Sequence, residues 1–168
     1  LELIEARWLF DLTPEQLEVV IHPSSIVHAI VRFVDGCCIA QMSPPSMTFA
    51  LQNAIFFPER HQGVEQSLDF SKSLDLEFSP PSLERYPCLR LAQEAMLQGA
   101  TAPLVFNAAN EIAVDSFLRN RIGFLDISHI IENTLNKSDL NSTTSIDDLL
   151  ALDASTRECA NIQVDLLG

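Results

Sequence analysis

Apolar residues recur at helical spacing at the start of the chain, where Leu1, Ile4 and Trp8 lie three and four residues apart. This period predicts a helix over residues 1–12 with one apolar stripe facing a core. Residues 13–16 follow with the Thr-Pro-Glu-Gln pattern of a capping box, which predicts one further short helical turn.

The next segment, residues 17–42, has the residue types and alternation of β-structure. Residues 17–21 are rich in β-branched side chains, and residues 28–34 alternate between two faces. Asp35-Gly36 separates two β-prone runs, and this dipeptide is the strongest short-range signal of a hairpin. We therefore expect β-strands here, joined by a tight turn.

The pattern changes twice more along the chain. Residues 47–56 predict a second helix that ends before Pro58. Residues 57–82 lack a clear period, are rich in Ser and Asp and end in Pro-Pro, which predicts an extended linker that packs on a surface. Residues 83–168 read as helical throughout, so the fold class is α+β: a partial mixed sheet with helices, followed by a small four-helix bundle.

Local signals give the expected ends of the bundle helices. Pro87 starts the first and Gly99 stops it, while Pro103 starts a longer second helix. Aspartates are expected to cap the third and fourth helices, at Asp126 and Asp153. A capping box beginning at residue 145 is expected to start only a short turn.

The overall charge excludes some function classes. The 168 residues contain 23 acidic and 10 basic side chains, a formal net charge of −13. A protein that binds nucleic acid or an anionic membrane must offer basic groups to the phosphates, so we expect neither partner. No apolar run approaches the ~18 residues of a membrane-spanning helix.

The four cysteines have no metal-ligand spacing. Cys37 and Cys38 are adjacent, Cys88 and Cys159 are isolated, and none forms a C-x-x-C pattern. We expect four reduced, mostly buried thiols and neither a zinc site nor a disulfide framework.

Candidate chemistry read from the residues alone is sparse. Glu2 stands at a helix start, where a carboxylate favours the helix dipole even without a catalytic role. His22, before a proline, is typical of a turn histidine with a satisfied ring, whereas His28 begins a strand and could face a cleft. Asn107 with Asn110 and the adjacent glutamate suggest either buried amides that bond to backbone elsewhere or a site of their own.

Five stretches of the sequence, in this order and spacing, resemble the 1-deoxy-D-xylulose 5-phosphate reductoisomerase family: LELIEARWLF, IHPSSIVHAIVRFVDG, CIAQM, RYPCLRLAQEA and FNAANEIAVDSFL. The resemblance covers nearly the whole chain but only the C-terminal part of that enzyme. It implies that residues 1–56 end the catalytic domain, residues 57–82 form a linker, and residues 83–168 form the C-terminal helical bundle.

The resemblance also implies a reaction and its cofactors. Members of the family rearrange 1-deoxy-D-xylulose 5-phosphate and reduce the intermediate with NADPH to 2-C-methyl-D-erythritol 4-phosphate for isoprenoid biosynthesis. A divalent ion, Mg²⁺ or Mn²⁺, chelates the sugar phosphate in that reaction. The family enzyme is a homodimer, and a cytoplasmic location is expected.

Four residues take roles from the resemblance. Glu2 matches a glutamate that binds both the metal and the substrate, and His28 matches a histidine of the substrate cleft. Pro45 and Met47 match a loop that contacts the ligand. That loop departs from the family pattern G-x-P-D-M-R, because it reads Ser-Pro-Pro-Ser-Met-Thr over residues 43–48, and Ser24 stands where glutamine is usual.

We expect the chain to be a piece of a longer protein, because its first methionine is Met42 and Leu1 lies within a helical pattern. A single carboxylate cannot hold Mg²⁺, which gives up its water ligands reluctantly. The chain alone is therefore expected to be inactive and to bind neither metal nor NADPH. The alternative is a non-catalytic helical module for interaction or dimerisation.

Overall fold

A computed structural model describes residues 1–141, 143 and 145–167. Within these residues, six helices and two strands form in the order α1, β1, β2, α2, α3, α4, α5, α6, with one 3₁₀ turn between α1 and β1. The helices are α1 (Glu2–Phe10), α2 (Thr48–Phe56), α3 (Pro87–Gln98), α4 (Ala102–Leu118), α5 (Asp126–Lys137) and α6 (Ile146–Asp165). The strands are β1 (Val27–Arg32) and β2 (Cys38–Met42), and the 3₁₀ turn is Pro14–Gln16. The α+β class is confirmed.

The chain divides into two compact units. One contains Leu1–Glu18 and Ser82–Gly168, and the other is Val19–Pro81. Helix α1 therefore belongs with α3 to α6, although it precedes them by some eighty residues of intervening chain. The three domain ranges derived from the sequence stay a prediction.

The helical unit is built around α4. Four alanines of this helix are buried, and small side chains of this kind let neighbouring helix backbones approach closely: Ala102, Ala108, Ala109 and Ala113. Ile130 and Ile131 of α5 are fully buried and fill the same core. Ala160 of α6 is also fully buried there. Helix α1 contributes Ile4 to this core, and Arg7 donates a hydrogen bond from Nη1 to the carbonyl of Met96 on α3.

The predicted turn and capping box both form. Gly36 has φ of 86°, and its N–H donates to the carbonyl of Phe33 over 3.0 Å, which closes a tight turn between antiparallel β1 and β2. Thr13 donates its backbone N–H to the side chain of Gln16 at 2.8 Å, as the box requires.

Residues 17–21 do not form the predicted strand. In the part of the chain that the structure describes, this segment forms one bridge, in which Ile21 and Ser79 exchange backbone hydrogen bonds of 2.8 and 3.0 Å. The β-branched composition predicted β-structure, but the partner segment supplies a single pairing position. A ladder therefore cannot propagate from it.

The prediction that Asp153 caps a separate last helix was wrong. Helix α6 runs without interruption from Ile146 to Asp165, and Asp153 lies inside it with its carboxylate 2.7 Å from Nε of Arg157. An i,i+4 ion pair thus satisfies the side chain that the sequence pattern assigned to a cap. The N-cap is Ser145, whose hydroxyl accepts from the N–H of Asp148.

The prediction of mostly buried cysteines was also wrong. Cys37 and Cys38 are exposed at the end of the hairpin, and Cys88 and Cys159 are only partly buried. All four are free thiols. The hairpin pair is exposed because β1 and β2 form a two-stranded sheet in which nearly every residue of both strands is accessible.

Candidate functional site

Glu2 is the first residue of α1 and is almost completely exposed, with 96% of its side chain accessible. Its Oε2 lies 3.4 Å from the amino group of Leu1. A hydrogen bond from its own backbone N–H lowers the pKa of the carboxyl, and the positive charge of the amino group lowers it further. Glu2 is therefore an ionised carboxylate that nothing in its helix buries.

His28 lies at an irregularity in the hairpin. Val27 pairs with Met42, but Ala29 pairs with Gln41, so His28 is an extra residue of β1 with no partner on β2. This is a β-bulge, a feature that turns a side chain away from the direction that regular alternation would give it. The sequence shows no sign of it.

The bulge brings the His28 ring to the residue that follows β2. Its Nε2 is 2.9 Å from the hydroxyl of Ser43 and 3.2 Å from the carbonyl oxygen of the same residue. Ser43 is only 8% exposed, and its N–H donates to the carbonyl of Ile26 over 3.0 Å. The histidine ring is thus held by a residue that is itself fixed on its backbone.

The segment around Pro45 and Met47 is a polar turn before α2. Met47 is 70% exposed and Pro45 is also exposed. Ser46 holds the turn, because its Oγ lies 2.8 Å from Glu65 Oε1 and 3.1 Å from Thr48 Oγ1. Ser46 and Thr48, which replace the family's charged residues, are therefore bonded within the unit, and Pro45 and Met47 are the accessible side chains of the turn.

His22 is a structural turn residue, as its position before proline predicted. Its Nδ1 is 2.7 Å from the carbonyl of Glu77, and its Nε2 is 3.0 Å from the hydroxyl of Ser24. The ring also stacks on Phe78 with centroids 4.6 Å apart. Both ring nitrogens are therefore occupied.

Among the described residues, the asparagines of α4 do not form the expected hydrogen bonds to distant backbone. Asn107 donates to Glu111 of the same helix at 3.1 Å, and neither Asn107 nor Asn110 is fully buried. Glu111 pairs in turn with Arg157 of α6 at 2.8 Å. Arg157 donates hydrogen bonds to the carboxylates of Asp153 and Glu111, and these bonds, with that to Asp153 the larger cause, raise the pKa of its guanidinium above the usual value. These contacts form an ion-pair network that joins α4 and α6, in which one guanidinium binds two carboxylates.

No group of three or more His, Cys, Asp or Glu side chains that could hold a metal ion occurs among residues 1–141, 143 and 145–167. Mg²⁺ prefers six oxygen ligands at fixed geometry, and Glu2 offers one exposed carboxylate. The donors of this chain therefore do not fit a divalent ion by themselves, and no catalytic step through a metal follows from them.

Within the same residues, no helix is long and apolar enough to cross a membrane.

A family model described as the DXP reductoisomerase C-terminal domain matches residues 42–159, well over half of the chain. The chain belongs to the DXP reductoisomerase C-terminal domain family. The resemblance read from the sequence motifs is thereby confirmed.

Curated relatives in the DXP reductoisomerase family extend the match to nearly the whole chain. The 1-deoxy-D-xylulose 5-phosphate reductoisomerase of Nitrosospira multiformis is 46% identical over 160 residues, which is 95% of this chain and 40% of that protein. The enzyme of Nitrosomonas eutropha is 44% identical over 165 residues, 98% of this chain and 40% of that protein. The chain thus spans about two fifths of the length of these relatives.

Solved reductoisomerase structures share the fold. The enzyme from Zymomonas mobilis in complex with NADPH superposes with a TM-score of 0.87 and 40% identity, over 97% of this chain and 43% of that one. A DOX-P reductoisomerase in complex with NADPH, fosmidomycin and magnesium gives a TM-score of 0.91 and 36% identity, over 98% of this chain and 43% of that one.

Two features of the site were missed by sequence reasoning. One is the bulge at His28, and the other is the contact of His28 with Ser43, fifteen residues away. The replacement of the family's glycine by Ser43 was visible in the sequence and was the one signal that pointed to a new side-chain contact in this turn.

Proposed function

We propose that this chain is the C-terminal part of an enzyme that converts 1-deoxy-D-xylulose 5-phosphate into 2-C-methyl-D-erythritol 4-phosphate with NADPH, in isoprenoid biosynthesis. The observation that carries the proposal is 46% identity to a reductoisomerase over 95% of the chain. The two solved relatives bind NADPH, and one of them binds magnesium as well. A complete enzyme of this kind would use Mg²⁺ or Mn²⁺ and work in the cytoplasm.

The isolated chain would lack most of that machinery. It spans about two fifths of its relatives, and its described residues contain no metal cluster. We propose that it is inactive alone and binds neither NADPH nor a divalent ion with useful affinity. Titration of the chain with NADPH and with Mn²⁺ tests this, and micromolar binding of either one would contradict it.

Within the complete enzyme, Glu2 would supply one carboxylate of a divided metal site and contact the substrate. Its exposure and the hydrogen bond from its own backbone N–H, which lowers the pKa of the carboxyl, support this role, because a metal ligand must be both accessible and deprotonated. His28, Pro45 and Met47 would contact the sugar phosphate or the bound cofactor.

A charge-removing substitution tests the role of Glu2. In the complete enzyme, we expect Glu2→Gln to lower kcat/KM by about 100-fold or more and to raise the Mg²⁺ concentration needed for half-maximal rate, since lesser changes around metal ligands already cost about 10- to 100-fold. Glu158→Gln is the matched control, because Glu158 is also exposed and begins no helix. Equal activity of both variants would refute the metal-binding role.

We further propose that the complete enzyme is a homodimer. The unit Val19–Pro81 supports a larger assembly, because Ser43 is its only buried residue and all of its residues are described. A unit with no apolar core of its own needs other surfaces to cover its apolar side chains. The alternative, a non-catalytic helical module that dimerises through the bundle, predicts association through the other unit.

A further inference from the structure

The protons around His28 can be assigned from the chemistry of its neighbours. The carbonyl oxygen of Ser43 can only accept a hydrogen bond, so Nε2 of His28, 3.2 Å away, must carry the proton of that contact. The Ser43 hydroxyl donates its own proton to the carbonyl of Pro44 at 3.1 Å. The hydroxyl oxygen is then an acceptor for the same Nε2–H, at 2.9 Å.

Both oxygens of Ser43 therefore favour one tautomer of the neutral ring. A neutral imidazole carries one proton, so a proton on Nε2 leaves Nδ1 with a lone pair. Among residues 1–141, 143 and 145–167, no donor to Nδ1 of His28 is present within hydrogen-bond distance. His28 itself is an exposed residue.

We infer that Ser43 is a positioning residue for His28. It holds the ring in the Nε2–H tautomer at the β-bulge, so that Nδ1 is presented as a hydrogen-bond acceptor to a ligand hydroxyl. The assignment of a ligand hydroxyl to Nδ1 rests on the proposed function, in which the substrate is a sugar phosphate with several hydroxyl groups. A lone pair at Nδ1 accepts from a hydroxyl and disfavours an anionic oxygen, so this nitrogen would meet the sugar and not the phosphate.

The bulge is what makes this contact available. In a regular ladder His28 would pair with Gln41 and alternate with its neighbours, but here Ala29 takes that pairing position. Where the family pattern has glycine, residue 43 would offer only its carbonyl. The hydroxyl of Ser43 is thus an additional acceptor that this chain possesses.

His22 provides an internal reference of the opposite kind. Its Nδ1 lies 2.7 Å from the carbonyl of Glu77, so Nδ1 carries the proton, and Nε2 accepts from Ser24 at 3.0 Å. Two histidines six residues apart in one unit are therefore assigned to opposite tautomers. A single spectrum of one sample can test both assignments.

The experiment is a long-range ¹H–¹⁵N NMR correlation of the imidazole rings in the complete chain, recorded at a pH where all four histidines are neutral. We expect a protonated Nε2 and an unprotonated Nδ1 for His28, and the reverse for His22. In Ser43→Ala, the ratio of Nε2–H to Nδ1–H for His28 should fall by about 2- to 10-fold, the effect of losing one hydrogen bond. His22 should not change.

Two further variants show whether a change in the tautomer ratio comes from the loss of a specific hydroxyl group. Ser43→Thr retains the hydroxyl and should restore the wild-type ratio for His28. Ser24→Ala should alter His22 alone. An Nδ1–H ring for His28 in the wild-type chain, or a ratio that Ser43→Ala leaves unchanged in a folded protein, would overturn the inference.

The proposed contact between Nδ1 of His28 and a substrate hydroxyl is tested separately, by enzyme kinetics. In the complete enzyme, His28→Gln should raise KM for the sugar phosphate at least about 3-fold, while Ser24→Ala, which acts on the other histidine, should not. An unchanged KM in His28→Gln would overturn the hydroxyl contact but leave the family assignment untouched. Failure of the enzymatic proposal itself would appear instead as no NADPH-dependent turnover of the sugar phosphate by the unsubstituted complete enzyme.

Discussion

At the scale of single residues, Glu65 joins the parts of the turn before α2. Hydrogen bonds from the hydroxyl of Thr48, and then from that of Ser46, lower the pKa of its carboxyl below the ordinary value. A carboxyl whose pKa is lowered in the folded chain stabilises that fold above its unfolded pKa. The contribution disappears as the pH falls through the folded pKa, which lies below about 4.5.

We predict that Thr48→Val and Ser46→Ala each raise the pKa of Glu65 toward its ordinary value, with the larger change for Thr48→Val. An NMR titration of the side-chain carboxyl measures this directly. Ser71→Ala is the matched control, because Ser71 donates at 2.6 Å to a different carboxylate, Asp69. It should raise the pKa of Asp69 and leave Glu65 alone. A Glu65 pKa that is equal in all four proteins would contradict this account of the turn.

His22 has the satisfied ring that its position before proline predicted, although only one of its hydrogen-bond partners is near in sequence. Ser24 lies two residues away, whereas Glu77 lies fifty-five residues away. His28 depends instead on strand register and on Ser43, which lies fifteen residues away across the hairpin. A bulge is a property of two paired strands, so neither strand's sequence reveals it.

At the scale of elements, α6 separates a true cap from an apparent one. Ser145 accepts the N–H of Asp148 at the start of the helix, whereas Asp153 sits at mid-helix and pairs with Arg157. Glutamate is a poor N-cap but a good interior residue, and its carboxylate can still reach a partner four residues on.

We therefore predict that Ser145→Ala lowers the free energy of unfolding by about 1 kcal/mol, while Asp153→Glu changes it by less than about 0.5 kcal/mol. Chemical denaturation followed by circular dichroism measures both. If Asp153 were the cap of a separate helix, Asp153→Glu would cost as much as Ser145→Ala, and that outcome would show that α6 is broken in solution.

A helix, strand or turn was predicted correctly where the interactions that form it join residues close together in the sequence. The Asp35-Gly36 turn and the capping box at Thr13 are closed by bonds within four residues, and both formed as expected. The ends of α6 were misjudged because a capping aspartate and an ion-paired aspartate look alike until a partner such as Arg157 is in place. Residues 17–21 failed as a strand because, among the described residues, Ile21 alone of this segment forms a β-bridge, with Ser79.

At the scale of the whole molecule, exposed apolar surface favours association of two copies, whereas the net charge opposes it. The hairpin exposes apolar side chains on both faces: Ile30, Val31, Phe33, Val34 and Ile39. Exposed apolar patches of this kind usually mark surfaces that a partner covers. The net charge of −13 makes two copies repel each other, and salt screens that repulsion. Association through the hairpin should therefore strengthen as the salt concentration rises.

We predict that the chain self-associates through the cross-strand pair Val31 and Ile39, which are 57% and 64% exposed. Replacing both with lysine should weaken the dimer by about 10- to 100-fold in Kd, because burial of one such side chain contributes about 1.5–3 kcal/mol. Sedimentation equilibrium at low and high salt measures this, with Leu118→Lys on α4, 70% exposed, as the control. A new charge weakens association only where it lies on a surface that is buried between two copies. If Leu118→Lys dissociates the dimer and the hairpin variant does not, the bundle is therefore the contact surface, and the helical-module alternative is favoured.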